Sequence, residues 1–158
     1  MEYRLRPAVL SDYEGLKPIH KEVHDLHVEG RPDKYNPADN TLDWEYFKSL
    51  VSNEEGIIYM IEYNGEIIVF AILRKNKSTE RETVVKQSYV FMEDLGVKET
   101  FRGNGLGRLL FEKAIEFTKE VGAVSLELGV WEFNETAIKF YETMGMKTQA
   151  RKMEIRLN

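Results

Sequence analysis

Midway along the chain the apolar run Tyr89-Val-Phe-Met-Glu-Asp-Leu-Gly-Val97 breaks into Arg102-Gly-Asn-Gly-Leu-Gly107, and an amphipathic segment follows at once. A strand that feeds a glycine loop opening a helix leaves consecutive backbone N–H groups with no intrahelical acceptor. Those donors and the positive end of the helix dipole converge on one spot, which is a ready anion site. The same order of elements commits this half of the chain to a strand with a helix packed back on it, and the expected ligand carries a pyrophosphate.

The residues around the loop narrow the choice. A phosphate loop of the nucleoside triphosphatases ends in Gly-Lys-Ser/Thr, whereas Gly107 is followed by Arg108-Leu109. The dinucleotide fingerprint G-x-G-x-x-G fails in register, since a start at Gly103 demands glycine at 108 and a start at Gly105 demands it at 110. Glu127 lies at a suitable distance for a ribose-binding acid, but it falls inside the strand Ser125–Val130 rather than at its end. A nicotinamide-dependent enzyme remains a rival reading, distinguished by binding the dinucleotide.

What remains is Arg-x-x-Gly-x-Gly after an apolar strand and before a helix carrying Leu109, Leu110, Ala114, Ile115 and Phe117. A second pattern follows the strand 123–130: Asn134 opens a helix, with Ala137 three residues on, Tyr141 seven residues on and Gly145 at its end. Together these motifs resemble the GNAT superfamily of N-acetyltransferases, closely over about Ser88 to Met146 and only in layout before that. The segments 92–97 and 131–134 are also locally similar to the spermidine/spermine and thialysine acetyltransferase branch.

The resemblance implies an α/β (α+β) fold: a mixed central sheet of six to seven strands flanked by four helices, in the order β-α-α-β-β-β-α-β-α-β, forming one domain over 1–158. It implies acetyl-CoA as co-substrate, with no metal. The loop amides of Gly103, Asn104, Gly105, Leu106, Gly107 and Arg108 would hold its pyrophosphate, with Arg102 and Asn134 as further contacts. Leu95, Gly96 and Val97 would pair with the pantetheine arm and supply a backbone donor to the oxyanion. Tyr141 would protonate or hydrogen-bond the departing thiolate. An acid on the fourth strand would take the amine's proton, and a neighbouring acid would hold a second ammonium group.

Composition fits this picture. The chain has 158 residues, 42% of them hydrophobic, enough for a single core. No apolar run reaches membrane-spanning length, and Met-Glu-Tyr-Arg-Leu-Arg has no signal-peptide apolar segment, so a cytoplasmic address is expected. With no cysteine, acyl transfer cannot pass through an enzyme thioester, and direct attack is the simpler route. The formal charge of −5 disfavours nucleic acid and favours a cationic small-molecule or peptide amine.

Pattern reading along the chain predicts a strand at 3–7, then a capping box, Ser11-Asp-Tyr-Glu14, starting a helix to about Val28 despite Pro18. A loop at 30–37 leads to a second helix capped by Asn40 or Thr41. Strands 57–63 and 66–74 flank an Asn64-Gly65 hairpin turn, and a loop at 75–83 precedes a long strand, 84–97. After the glycine loop come a helix, a strand at 123–130, the helix from Asn134 and a last strand around 151–157.

Acyl transfer to an amine needs a neutral nucleophile, a donor for the oxyanion and a proton for the leaving thiolate. Tyr141 is the candidate for the last task, although Phe140 and Tyr141 could also be plain core aromatics. Gly96 within a strand suits a bulge or a close backbone approach. Strict alternation places Glu93 on the same side as Leu95 and Val97 and Asp94 on the other, which makes Glu93 the first choice of base and Asp94 the second choice or an amine binder.

His20, His24 and His27 share one helix face at i, i+4 and i+7. That face suits metal chelation, a lining for the acceptor pocket or plain solvation, and Arg31, Asp33 and Tyr35 join the pocket reading. A catalytically idle coenzyme-A-binding module is the rival from another functional class. Pairing into a homodimer is also expected of small enzymes with this layout.

Overall fold

The computed structural model describes residues 2–52 and 54–157. Its sheet has five strands in sequence order: β1 (Arg4–Pro7), β2 (Gly56–Tyr63), β3 (Glu66–Lys77), β4 (Ser88–Val97) and β5 (Leu126–Leu128). The first four are antiparallel to their neighbours, and β5 joins β4 in parallel, so the sheet is mixed. Four helices cover it: α1 (Tyr13–Gly30), α2 (Trp44–Ser52), α3 (Leu106–Glu120) and α4 (Glu135–Thr143).

Two apolar layers follow from the alternation along β2 and β3. One row, Ile58, Met60, Phe70 and Ile72, packs under Leu16 and Ile19 of α1 and Phe47 and Leu50 of α2. The other, Tyr59, Ile61, Val69, Ala71 and Leu73, packs with Val90 and Met92 of β4 under Leu110, Phe111, Ala114 and Phe117 of α3, with Phe140 and Tyr141 of α4 against its rim. β3 is buried on both faces, which is why its sequence reads as a continuous apolar run and not as an alternating one.

Several boundaries differ from the sequence reading, each for a local reason. The helix start at Ser11 is replaced by a single 3-10 turn, Leu10–Asp12, in which Asp12 and not Ser11 takes the capping role by accepting from the Val9 N–H at 2.8 Å. α1 runs through Pro18, its sixth residue, which has no N–H to donate to the Glu14 carbonyl and so leaves the helix one bond short there. At α2 the cap is Asp43, whose carboxylate accepts from Tyr46 N–H at 2.9 Å, because Thr41 is taken by His20.

The Asn64-Gly65 turn has positive φ at both residues, 50° and 77°, as a two-residue hairpin loop requires. β3 extends three residues past Arg74, and β4 starts at Ser88, leaving Val85 of the expected strand 75% exposed. The last strand expected at 151–157 does not form, so the sheet has five strands and not six to seven.

The N-terminal corner is held by charge. Arg6 of β1 donates to both oxygens of Asp12 at 2.7 and 2.8 Å and to Glu62 of β2 at 3.2 Å, on side chains only 12–21% exposed. The guanidinium holds both carboxyls below their usual range, chiefly by hydrogen bonding. A depressed folded-state pKa stabilises the fold above the ordinary carboxylate value, near pH 4, and that contribution is lost as pH falls through the folded value. Arg6→Ala is therefore expected to cost about 1–2 kcal/mol at pH 7, lowering Tm by roughly 2–8 °C. Thermal melts should show the gap between the two proteins closing below about pH 4.

Candidate active site

The glycine loop sits where β4 hands the chain to α3. Gly103 and Gly105 have φ of 82° and 75°, a region in which a side chain is strained, and Gly105 is the N-cap residue of α3. The first helical bond is donated by Leu109 N–H to the Gly105 carbonyl at 3.1 Å. The backbone amides from Gly103 to Arg108 therefore have no acceptor among the described residues, as an anion site requires. Gly107 is needed for a different reason: a Cβ there would lie 3.3 Å from Val97 and 3.7 Å from Phe140, so its smallness lets α3 seat against β4 and α4.

The loop side chains are engaged within the protein. Arg102 donates from Nε to the Val97 carbonyl at 3.2 Å and lies 3.8 Å from Glu22 of α1, while Arg108 pairs with Glu112 at 3.4 Å. Asn104 donates to the Phe101 carbonyl at 3.0 Å. The loop thus offers its backbone, and its side chains fix its shape.

β4 and β5 are paired only from Val90–Leu126 to Met92–Leu128. Beyond that point β4 keeps β3 on one side, with Asp94 opposite Ile72 and Val97 opposite Val69, and has no strand on the other among the described residues. The edge of Leu95, Gly96 and Val97 is consequently open between the two diverging strands, and it leads straight to the glycine loop. A Cβ on Gly96 would meet Val23 of α1 at 2.5 Å and Phe70 at 2.6 Å, so the glycine there admits a close approach of α1.

Alternation does not hold through β4. The register with β3 steps from Leu73–Met92 to Ile72–Asp94, leaving Glu93 as the extra residue of a bulge. Met92 and Leu95, three residues apart, both belong to the layer under α3. Both carboxylates are thereby turned to the α1/α2 face, and Glu93 does not share the side of Leu95 and Val97. Glu93 reaches Arg74 at 3.4 Å, and Asp94 lies 3.7 Å from His20 Nε2 on α1. Tyr46 of α2 stands near both acids, its hydroxyl pushed up to about 12 by burial first and then by the charges of Glu93 and Asp94.

Tyr141 comes from the opposite face. Its ring packs against Phe111 at 6.1 Å and Phe140 at 5.4 Å, and its hydroxyl has no hydrogen-bond partner among the described residues. Burial, and next the charge of Asp94, push the phenol up to about 12. Asp94 and Tyr141 therefore feel each other across the mouth of the split. α4 begins with Asn134, whose Oδ1 accepts from Ala137 N–H at 3.2 Å, so the residue carries the structural cap expected of it.

The three histidines take three separate partners. His20 Nδ1 bonds Thr41 Oγ1 at 2.8 Å, His24 Nε2 donates to the Asn36 carbonyl at 2.7 Å, and His27 Nδ1 donates to the Val23 carbonyl at 2.9 Å. Arg31, Asp33 and Tyr35 are brought together beside the β5–α4 loop. Arg31 forms a bidentate pair with Asp33 and stacks 4.6 Å above Trp131, whose Nε1 donates to the Tyr35 hydroxyl at 3.0 Å.

Thr41, Tyr46, Trp131 and Phe133 had no site role in the sequence reading. Their site partners lie 21 residues or more away along the chain, and the one legible signal was the aromatic pair flanking Glu132 just before Asn134.

Comparison with known proteins bears on this geometry. The sequence model of the acetyltransferase (GNAT) family matches residues 20–146. An uncharacterized N-acetyltransferase of Methanocaldococcus jannaschii is 33% identical over 115 residues, 73% of this chain and 50% of that protein. A thialysine N-epsilon-acetyltransferase of Caenorhabditis elegans is 41% identical over 56 residues, 35% of each. The chain thus spans half or less of the length of these two relatives. The crystal structure of a mutant protein from Bacillus halodurans superposes with a TM-score of 0.93 at 31% identity, over 98% of this chain and 99% of that one.

Proposed function

From the premise that the chain belongs to the GNAT family of acetyltransferases, we propose that it moves acetyl from acetyl-CoA to a primary amine by direct attack. The observation that carries this reading is the split between β4 and β5, with a carboxylate on one face, a buried phenol on the other and a row of free amides at its end. The coenzyme's pyrophosphate would rest on the amides of Gly103 to Arg108. Its pantetheine arm would lie along the open edge of residues 95–97, placing the thioester at the mouth.

The amine would enter from the α1/α2 face. Asp94 takes its proton, directly or through a water, and Glu93 beside it holds the cationic end of the acceptor. A backbone N–H on the open edge of β4 stabilises the oxyanion. Tyr141, kept neutral by a pKa pushed up to about 12, then donates to the thiolate as it leaves. Two facing carboxylates and an overall charge of −5 favour an amine with a second positive group, and the matched stretch of a thialysine acetyltransferase supports the same class. An idle coenzyme-binding module has no use for this acid and this phenol on opposite faces of one cleft.

Release of free thiol from acetyl-CoA, measured over a panel of polyamines, amino acids, aminoglycosides and short peptides, tests the reading. Amine-dependent release is expected; bound coenzyme with no release on any acceptor would favour the idle module. Tyr141→Phe should lower kcat about a hundredfold while coenzyme affinity holds, and equal loss of both would remove the acid assignment. Because the phenol stays protonated well above neutrality, the pH profile between 6 and 9 should keep its shape in that variant. Asp94→Asn should reduce kcat more than Glu93→Gln, which should chiefly raise KM for the amine; the reverse pattern would return the base role to Glu93.

The loop gives a separate test. A β-branched residue at Gly105 must adopt a φ of 75° that it strongly disfavours. Gly105→Val is expected to abolish coenzyme binding in calorimetry while the far-UV circular dichroism spectrum is unchanged. Retained affinity would place the pyrophosphate elsewhere.

A further inference from the structure

His20 of α1 faces a carboxylate, and its two ring nitrogens have different surroundings. The side chain is 14% exposed, set between the Phe70 ring of β3, 5.7 Å away between centroids, and Thr41 at the entry to α2. Nδ1 is hydrogen-bonded to Thr41 Oγ1 at 2.8 Å, whereas Nε2 lies 3.7 Å from Asp94 Oδ2, beyond hydrogen-bond reach. Thr41 is a fixed partner. The next residue, Leu42, is 1% exposed in the layer beneath α1, and its carbonyl accepts from the Tyr13 hydroxyl at 2.7 Å. An Nε2–H aimed at an ionised carboxylate would be drawn to hydrogen-bond distance, so the 3.7 Å gap fits a lone pair facing an anion. The neutral ring then keeps its proton on Nδ1, donated to Thr41, and presents Nε2 as a base beside Asp94.

Nε2 and Asp94 Oδ2 are thus two acceptors that one added proton would join. An acceptor amine brings such a proton, because it arrives as an ammonium and attacks only when neutral. Passing that proton from an ordinary alkylammonium (about 10.4) to an ordinary carboxylate (about 3.9) is uphill by about six and a half powers of ten. An ordinary imidazole (about 6.5) reduces the climb to about four.

We propose that His20 relays the amine's proton: Asp94 takes it and passes it to Nε2, while Thr41 holds the ring in the receptive tautomer. The relay rests on the reading of the cleft as an acetyltransferase site with Asp94 as its base. His20 acts through Asp94 and is a positioning residue. The imidazolium donates from Nδ1 to Thr41 and from Nε2 to Asp94, and its exposed edge gives the proton up to water. The neutral amine then attacks the thioester carbon: a C–N bond forms, the C–S bond breaks, and the second amine proton ends on the coenzyme thiol by way of Tyr141. Of the two protons that the ammonium loses, one reaches solvent and one the thiol. The other groups facing Asp94 are Glu93, paired with Arg74 of β3, and the hydroxyls of Tyr46 and Tyr141, which at about 12 stay protonated from pH 5 to 9.

Ring signals of the three histidines, with His20 assigned by loss in His20→Gln, give a test that needs no turnover. Nitrogen-15 spectra of the full-length protein should show the neutral His20 ring protonated on Nδ1. Asp94→Asn should move the titration of that ring alone to lower pH, because the negative neighbour that favours the imidazolium is gone. A proton on Nε2, or a titration that does not move, overturns the relay.

Kinetics separate the relay from the reading beneath it. In amine-dependent thiol release, His20→Gln should lower kcat roughly ten- to a hundredfold, leave KM for acetyl-CoA unchanged and remove the acid limb of the kcat profile between pH 5 and 9. Thr41→Val should lower kcat and keep that limb, and Thr41→Ser should restore the rate. Turnover whose rate and pH profile are the same in His20→Gln overturns the part of His20 alone. Absence of amine-dependent release in the unsubstituted protein overturns the acetyltransferase reading itself.

Discussion

Between Met92 and Leu95 the fourth strand must present apolar side chains to the same layer although three residues separate them, and only a bulge reconciles that with the two-residue period of a strand. The extra residue is Glu93. Its insertion turns two successive carboxylates to the α1/α2 face at the point where β4 loses β5 as a partner. Without the bulge, one of the two acids would point into the apolar layer under α3, where an unpaired carboxylate is costly. Packing on one face of the sheet thus dictates where charge appears on the other.

The split and the glycine loop complete a gradient of electrostatic character along one edge. At the α3 end the backbone presents free N–H donors with the helix dipole behind them, which favours negative charge. At the bulge two carboxylates and a partly buried phenol favour positive charge arriving from the opposite face. The two ends lie on a single run of chain, residues 93–108, so their spacing is set by β4 and its turn rather than by docking of remote elements. The same residues explain the pKa directions. Tyr46 and Tyr141 are raised first by burial and then by the nearby acids, so both hydroxyls remain donors across the physiological range.

What the sequence discloses and what it hides divides along the range of the interactions involved. The glycine loop, the Asn64-Gly65 turn, the opening of α4 at Asn134 and the amphipathic faces of all four helices depend on residues close in the chain, and each was legible there. The bulge was suggested only indirectly, by Gly96, and its effect on Glu93 and Asp94 ran against simple alternation, because register with β3 decides it. The start of α2 was shifted by competition: Asp43 acts as its cap while Thr41 bonds His20, a partner 21 residues away that no local pattern specifies. The final strand was read from an alternation that is present in the chain, but no strand among the described residues pairs with it.

The wall around the acceptor side contains two kinds of polar residue, and their difference bears on specificity. Arg31, Asp33, Tyr35, Trp131, Glu154 and Arg156 satisfy one another through ion pairs, one hydrogen bond and a stacked guanidinium, which leaves little attraction for a ligand. Their work is to hold the α1–α2 loop against the β5–α4 loop. Asp94 is held less tightly, by a single imidazole at 3.7 Å, and Glu93 by a single long contact to Arg74 at 3.4 Å. Such long, single contacts at a partly exposed site are weak. The residues that first look like a binding cluster in the sequence are therefore engaged with one another, and on the proposed function recognition of a cationic acceptor would rest on the two acids that the bulge exposes.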